Sequence, residues 1–330
     1  MESVKRNVRK NPVRKLAGLG SLVIGVCGLY LMSNAHMDKP KLFQYILSLR
    51  VPTLCVMLLA AFAIGSASII FQSIINNRIV TPCLLGMNAL YTLVHTAVVF
   101  VAGTGSILAA NANVSFAVDL VVMSVAATFI YTYMFKKTGN NILYVLLIGT
   151  VLSSLFGSIQ STMIRVMDPN AYDTLLTTLV ADFTNVNAEV IVFAALILGI
   201  LTIILWKDLM LLDVMTLGRD QAINLGVDYD ATVRRLLFGV VLCIAVATAM
   251  VGPISFLGLI IANLARQLLK THRHILLILG SAFMGMIAMI AGHAISQHMF
   301  HYSVPVSTFI TIGGGIYFLY LLLFKKGGDA

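Results

Sequence analysis

The side chains here that could do chemistry are seven histidines, four cysteines and a thin scatter of carboxylates. Three of the histidines, His293, His298 and His301, fall close together, and the i, i+3 spacing of His298 and His301 would put both rings on one face of a helix. A tetrahedral metal centre needs a third and fourth ligand, and no carboxylate or cysteine stands beside them. A polar anchor at a membrane interface is therefore the better reading of these rings, and the metal assignment is none. Cys27, Cys55, Cys83 and Cys243 are isolated, without C-x-x-C spacing, and read as small apolar residues rather than as disulfides or ligands.

Catalysis fares no better. The chain holds no H-E-x-x-H, no G-x-S-x-G and no paired carboxylates inside an apolar run, so no catalytic residue is assigned. It also lacks G-x-x-x-x-G-K-[ST]; the pairs Lys137-Thr138 and Lys270-Thr271 have no glycines before them, so the chain does not bind ATP by that route. No cofactor is expected. Asp119 and Arg266 lie near the ends of apolar runs, where they are expected to reach water. A chain with so few ionisable groups inside its spans lacks the usual means of ion coupling, and any transport it performs needs work from elsewhere.

The elements that position these residues are apolar. With 59% hydrophobic residues, 11% charged residues and a mean hydropathy of +0.95, the sequence is that of a polytopic membrane protein. The net charge of +9 fits basic residues gathered on the cytoplasmic side better than nucleic-acid binding. Ten apolar runs, at about 16–33, 52–73, 84–103, 114–135, 142–163, 187–206, 234–251, 254–269, 275–297 and 304–324, predict an all-α bundle of about ten transmembrane helices in a single domain, 1–330. The basic stretch before the first run, Lys5 to Lys15, could open a signal peptide. The run is long enough to span and no A-x-A site follows, so a retained first helix is expected. Alternating from a cytoplasmic N-terminus, the inside segments collect 18 of the 22 lysines and arginines, including Lys325 and Lys326, and only Lys39, Lys41, Arg50 and Arg165 fall outside. Both termini are thus expected in the cytoplasm.

Gly252-Pro253 divides the seventh run from the eighth, because proline removes a donor and disfavours helix just before it. One long kinked helix is the alternative. Leu175, Leu176, Leu179, Val180 and Phe183, beside Asp173 and Asp182, predict a short amphipathic helix over about 172–183 on the outer side. Ala61-x-x-x-Gly65, Ser281-x-x-x-Gly285 and Ala288-x-x-x-Gly292 have the spacing that lets helix backbones approach closely.

One segment departs from all of this. Residues 207–235 hold nine of the 35 charged residues, too many to lie in hydrocarbon, and form the longest cytoplasmic connection. Within it, 217–227 reads as a short helix that Gly218 and Gly226 end or turn, with Arg219 and Asp220 able to pair at its wet rim.

Several stretches carry a resemblance. Arg50-Val51-Pro52, Gly65, Gln72, Asn77 and Pro82-Cys83-Leu84-Leu85-Gly86 resemble the second span and following loop of the permease subunits that import iron(III)-siderophores, haem and cobalamin. The run from Gly252-Pro253 through Gly258 and Asn263 to Arg266 resembles that family's most recognisable signature. Leu217-Gly218, Ala222 and Leu225-Gly226-Val227 resemble its cytoplasmic coupling segment, and Pro305 with Phe318-Leu319-Tyr320-Leu321 its last span. Thr53, Asn76, Arg78, Ala262-Asn263 and Ile316 depart from the common pattern, and the Asn-Asn-Arg-Ile form at 76–79 resembles the siderophore branch.

The resemblance implies a transport subunit and not an enzyme. It implies a second, homologous or identical permease, two cytoplasmic ATPases that hydrolyse the ATP, and an extracytoplasmic substrate-binding protein, together moving an iron(III)-siderophore by alternating access. Leu217, Gly218, Arg219, Asp220, Ala222, Leu225 and Gly226 would couple to the ATPase, and Arg50 would pair with a glutamate of the binding protein. Permeation of a free metal ion, of haem or of cobalamin, and a proton-driven carrier are the alternatives.

Overall fold

The computed structural model describes residues 2–33, 40–103, 105–106, 111–138, 142–183 and 187–324. Lys39, Lys325 and Lys326 lie outside the described residues. Twelve α-helices are found among those described: α1 (Glu2–Met32), α2 (Pro40–Ile75), α3 (Met87–Ala102), α4 (Ala112–Thr138), α5 (Ile142–Val166), α6 (Pro169–Leu179), α7 (Ala188–Met215), α8 (Arg219–Asn224), α9 (Tyr229–Val251), α10 (Leu257–Leu269), α11 (His274–Met299) and α12 (Val306–Phe324). A 3-10 turn, Pro82–Leu85, precedes α3.

An all-helical architecture follows from the solvent. Backbone N–H and C=O groups in hydrocarbon need partners within the chain, and a helix supplies them locally. Seven helices are long and apolar enough to cross a membrane, and three shorter ones, Met87–Ala102, Leu257–Leu269 and Val306–Leu321, carry the remaining apolar runs. Ten apolar helices therefore stand where ten runs were read. α2 begins at Pro40, well before the run at 52, and takes in Arg50-Val51-Pro52. At 36 residues it is about 54 Å long, against about 30 Å of hydrocarbon, so it projects beyond it.

α2 is the centre of the bundle and packs most extensively on α11. The small-residue spacing explains how. A Cβ on Gly65 would stand 2.8 Å from Ser281 Oγ and 3.1 Å from the Ala282 nitrogen, and one on Gly285 would meet Ala61 Cβ at 3.1 Å. The two stripes read from the sequence thus lie against each other, and Gly65 is required by the closeness of the backbones.

The Gly-Pro break is real. α9 stops at Val251, residues 252–256 are not helical, and α10 is only 13 residues, about 20 Å. Gly252 has φ +88 and lies so close to Ala181 that a Cβ there would come within 3.1 Å of its Cα. A side chain is excluded there on both counts. Phe256, at φ +61, opens α10, and its Cβ occupies the place a side chain on Gly314, midway along α12, would need. The ends of α2, α7 and α10 and the starts of α9 and α11 share one face, here the basic face; α6 and the link from α11 to α12 lie at the far face.

Candidate functional site

Segment 207–235 is held in place by three carboxylates. Arg235 donates through Nε and Nη2 to the two oxygens of Asp208, at 3.0 and 2.8 Å, and this fork ties α9 to α7. Asp213 accepts from the backbone nitrogen of His274 at 2.8 Å and from its Nδ1 at 2.5 Å, capping α11 from the end of α7. Arg219 Nη2 donates to Asp230 Oδ2 at 2.9 Å and joins α8 to α9. The partner read from the sequence, Asp220, is not the one used. Residues 219 and 220 are neighbours on a helix and point apart, whereas the turn at Gly226 brings 230 back beside 219. The hydrogen bond and charge of Asp230 hold the Arg219 guanidinium above its usual value.

Between these ties the chain turns twice. Gly218 (φ +107) leads into α8 and Gly226 (φ +86) leads out, so the helix is six residues where 217–227 was expected. Ala222 is fully buried, while Leu217, Ile223 and Leu225 are 54%, 46% and 64% exposed. This short helix on the basic face thus keeps its alanine inside and, with the residues flanking it, shows three large apolar side chains.

The signature residues pack rather than react. Gly258 lies against Ser68 and Ile64 of α2. Asn263, 2% exposed, donates through Nδ2 to the Arg78 and Leu259 carbonyls, both at 3.0 Å, and Gln72 Nε2 donates to the same Arg78 carbonyl at 2.9 Å. Two amides thereby fix the turn after α2. Half-buried Arg266 reaches Ser73 Oγ at 3.4 Å, and its Nε is buried without an acceptor. Gln72, Ser73, Asn76, Arg78, Asp213, Leu217, Arg266, Lys270, Arg273 and His274 belong to the lining of a cavity of ≈ 640 Å³ on the basic face.

At the far face Arg50 is 9% exposed and its Nη1 donates to the Tyr30, Leu31 and Ser33 carbonyls, so it caps the C-terminal end of α1 and lies 5.6 Å from the centre of the Tyr30 ring. With Tyr30, Asp182, His293, Ser296 and Tyr302 it lines a cavity of ≈ 720 Å³. The histidines separate. His293 is buried among the Tyr30, Phe183 and Tyr302 rings, His298 Nε2 lies 3.1 Å from Ser33 Oγ, and His301 sits beyond the end of α11 at φ +48, so His298 and His301 share no helical face.

Asp119 corrects the sequence reading. It is 2% exposed, not at the water's edge, and accepts from His95 Nδ1 at 2.7 Å; His95 Nε2 lies 3.0 Å from Thr178 Oγ on α6, and Tyr91 stacks on the imidazole. No sequence signal marked this chain of contacts, because its members are 24 and 83 residues apart, two inside separate apolar runs and the third on the short outer helix. The short outer helix is also displaced. It runs Pro169–Leu179, with Asp168 accepting from Asn170 N at 2.9 Å as its cap, and not over 172–183.

With this geometry in hand, comparison with known proteins is informative. The model of the FecCD transport family matches residues 17–324. The petrobactin import system permease protein YclO of Bacillus subtilis (strain 168) is 38% identical over 308 residues, covering 93% of this chain and 95% of that one. The petrobactin import system permease protein FatC of Bacillus anthracis is 28% identical, covering 91% and 84%. Among solved structures, a chain described as a metal-chelate type ABC transporter in an inward-facing conformation superposes with a TM-score of 0.81 at 22% identity, over 94% of this chain and 99% of that one. At that identity the match concerns the fold.

Proposed function

This chain belongs to the FecCD transport family, and on that premise we propose that it is the membrane-spanning permease of an ATP-driven ABC importer carrying an iron(III)-siderophore across the cytoplasmic membrane. The relatives named for petrobactin import support a chelate as the substrate. The observation that carries the mechanism is the α8 segment: Leu217, Ile223 and Leu225 are exposed on and beside a short helix whose start is tied to α9 by the Arg219–Asp230 pair, which is the arrangement of an apolar anchor offered to a partner's groove. That partner is one of two cytoplasmic ATPases. Its closure pulls on α8, and the Asp208–Arg235 fork and the Asp213–His274 cap pass the movement to α7, α9 and α11.

In this reading the basic face is cytoplasmic, both termini included. A second permease, identical or homologous, completes the pathway. Arg50, largely buried and bonded through Nη1 to the end of α1, helps register an extracytoplasmic binding protein by the positive charge it brings to the far face, which steers and aligns more than it holds.

A proton-driven carrier is the second reading, and the buried His95–Asp119 pair is what favours it. Uptake into proteoliposomes separates the two. With ATPase and ATP present, uptake of the iron chelate is expected to persist when a protonophore collapses the gradient. Loss of uptake under those conditions, or uptake by the permease alone, would overturn the proposal.

A further inference from the structure

The cavity on the basic face is unbalanced in charge. Arg78, Lys270 and Arg273 are exposed around it, Arg266 is half-buried within it, and Asp213 is the carboxylate among its lining residues. Asp213 is already committed to capping α11 and to the His274 ring. Among the described residues the ion pairs are His95–Asp119, Arg219–Asp230, Arg235–Asp208 and His274–Asp213, so none of these four cations has a carboxylate partner there. The C-terminal ends of α2, α7 and α10 lie beside them and the start of α11 opposes these, each helix end being worth about half an elementary charge. Together the helix ends offset about one of the four cations and Asp213 another, and a net positive site remains.

A second observation points the same way. The Arg266 Nε is buried with no acceptor, although a guanidinium taken out of water ordinarily finds one. The neighbours fix this arginine in place: Ser73 Oγ receives its Nη2, and the Arg78 backbone is held by Asn263 and Gln72. Asn76 (φ +53) and Lys270 (φ +46), both in the left-handed region without being glycine, turn the chain at two edges of the cavity.

We propose that this cavity binds a phosphate group with a free terminal end, held by the Arg266 guanidinium from within and by Arg78, Lys270 and Arg273 at its mouth. Arginine matches phosphate oxygens through paired N–H donors, and basic pockets between membrane helices on the cytoplasmic side take lipid headgroups of this chemistry. The volume of ≈ 640 Å³ admits the group with its first carbons. Thr216 and Leu217 also line the cavity, so an occupied site braces the turn into α8 against α2 and α10. The phosphate comes either from an anionic lipid or from free phosphate in solution.

The test uses the purified full-length permease and needs no ATPase, so its failure leaves the transport reading standing. One arm titrates inorganic phosphate against the permease in detergent and follows thermal stability. The other measures retention of phosphatidic acid against phosphatidylcholine in nanodiscs by native mass spectrometry. Arg266→Gln is expected to weaken binding about tenfold and Arg273→Gln about threefold; Arg266→Lys restores little, lacking the fork. Arg234→Gln, an exposed cation of the same face outside the cavity, leaves binding unchanged. Binding in the first arm with this pattern assigns free phosphate, and binding only in the second assigns the lipid headgroup. No binding in either arm, equal loss in Arg234→Gln, or full binding by Arg273→Gln together with Arg266→Gln overturns the proposal; Arg273 is exposed, so its variant is not expected to disturb folding.

Discussion

Two short helices interrupt the long ones, α6 at the far face and α8 at the basic face, and they are held in opposite ways. α6 is anchored inward: Leu175 is fully buried, Thr178 meets the His95–Asp119 pair, and the chain leaving it donates from the Asp182 nitrogen to the Val251 carbonyl at 3.0 Å. α8 is braced sideways by one rim ion pair, Arg219–Asp230, and its segment turns the large apolar residues Leu217, Ile223 and Leu225 out. The first helix is part of the bundle's packing. The second turns large apolar side chains away from the bundle, which is the surface that the proposed ATPase contact uses.

That contrast can be broken from either side. The largest effect is expected from Ala222→Arg. Ala222 is fully buried beneath α8, and a cation forced there must displace the helix; ATPase capture in a pull-down should vanish while membrane insertion stays intact. Capture at the normal level would sever the handle from the ATPase. Next, Asp208→Asn removes the charge from the Arg235 fork and is expected to cost about 1–3 kcal/mol, discounted because the arginine is half exposed. A thermal unfolding series reads this, and an unchanged midpoint would make the fork ornamental. Asp119→Asn should cost about 1 kcal/mol and act at the other end only, speeding proteolysis of 169–183 while ATPase affinity stays constant. Coupled loss of that affinity would mean the two helices are not independent. The smallest effect is expected from Arg50→Lys, which keeps the charge but loses the planar fork at the end of α1; docking of the binding protein should weaken a few-fold at low salt and less at high salt.

Much of this bundle was legible in the chain. Apolar runs gave ten helices because hydrocarbon leaves the backbone no other partner, and Gly252-Pro253 gave the break because both residues act locally. The small-residue stripes of Ala61/Gly65 and Ser281/Gly285 found each other as their spacing implied. What stayed hidden was pairing between distant residues. Asp119 looked like an end-of-span residue because nothing in an apolar run says which side faces a histidine 24 positions away. Arg219 looked as though it would pair with its neighbour, and only the turn at Gly226 decided for Asp230. The start of α2 was missed because Pro40 to Val51 is too polar to register as a span, although it continues the same helix.

The same contrast yields the sharpest test. Leu225→Ser and Leu217→Ser on the α8 segment, and Leu176→Ser and Val180→Ser on the α6 segment, each remove an exposed apolar side chain, so folding should change by about 0.5 kcal/mol or less in all four. The affinity of the detergent-solubilised permease for its ATPase is the decisive quantity. The account predicts a loss of about tenfold or more for Leu217→Ser and Leu225→Ser, as for central apolar anchors of an interface, and no change for Leu176→Ser and Val180→Ser. Equal affinity across all four variants and the parent would contradict the assignment of α8 as the place where the ATPase takes hold.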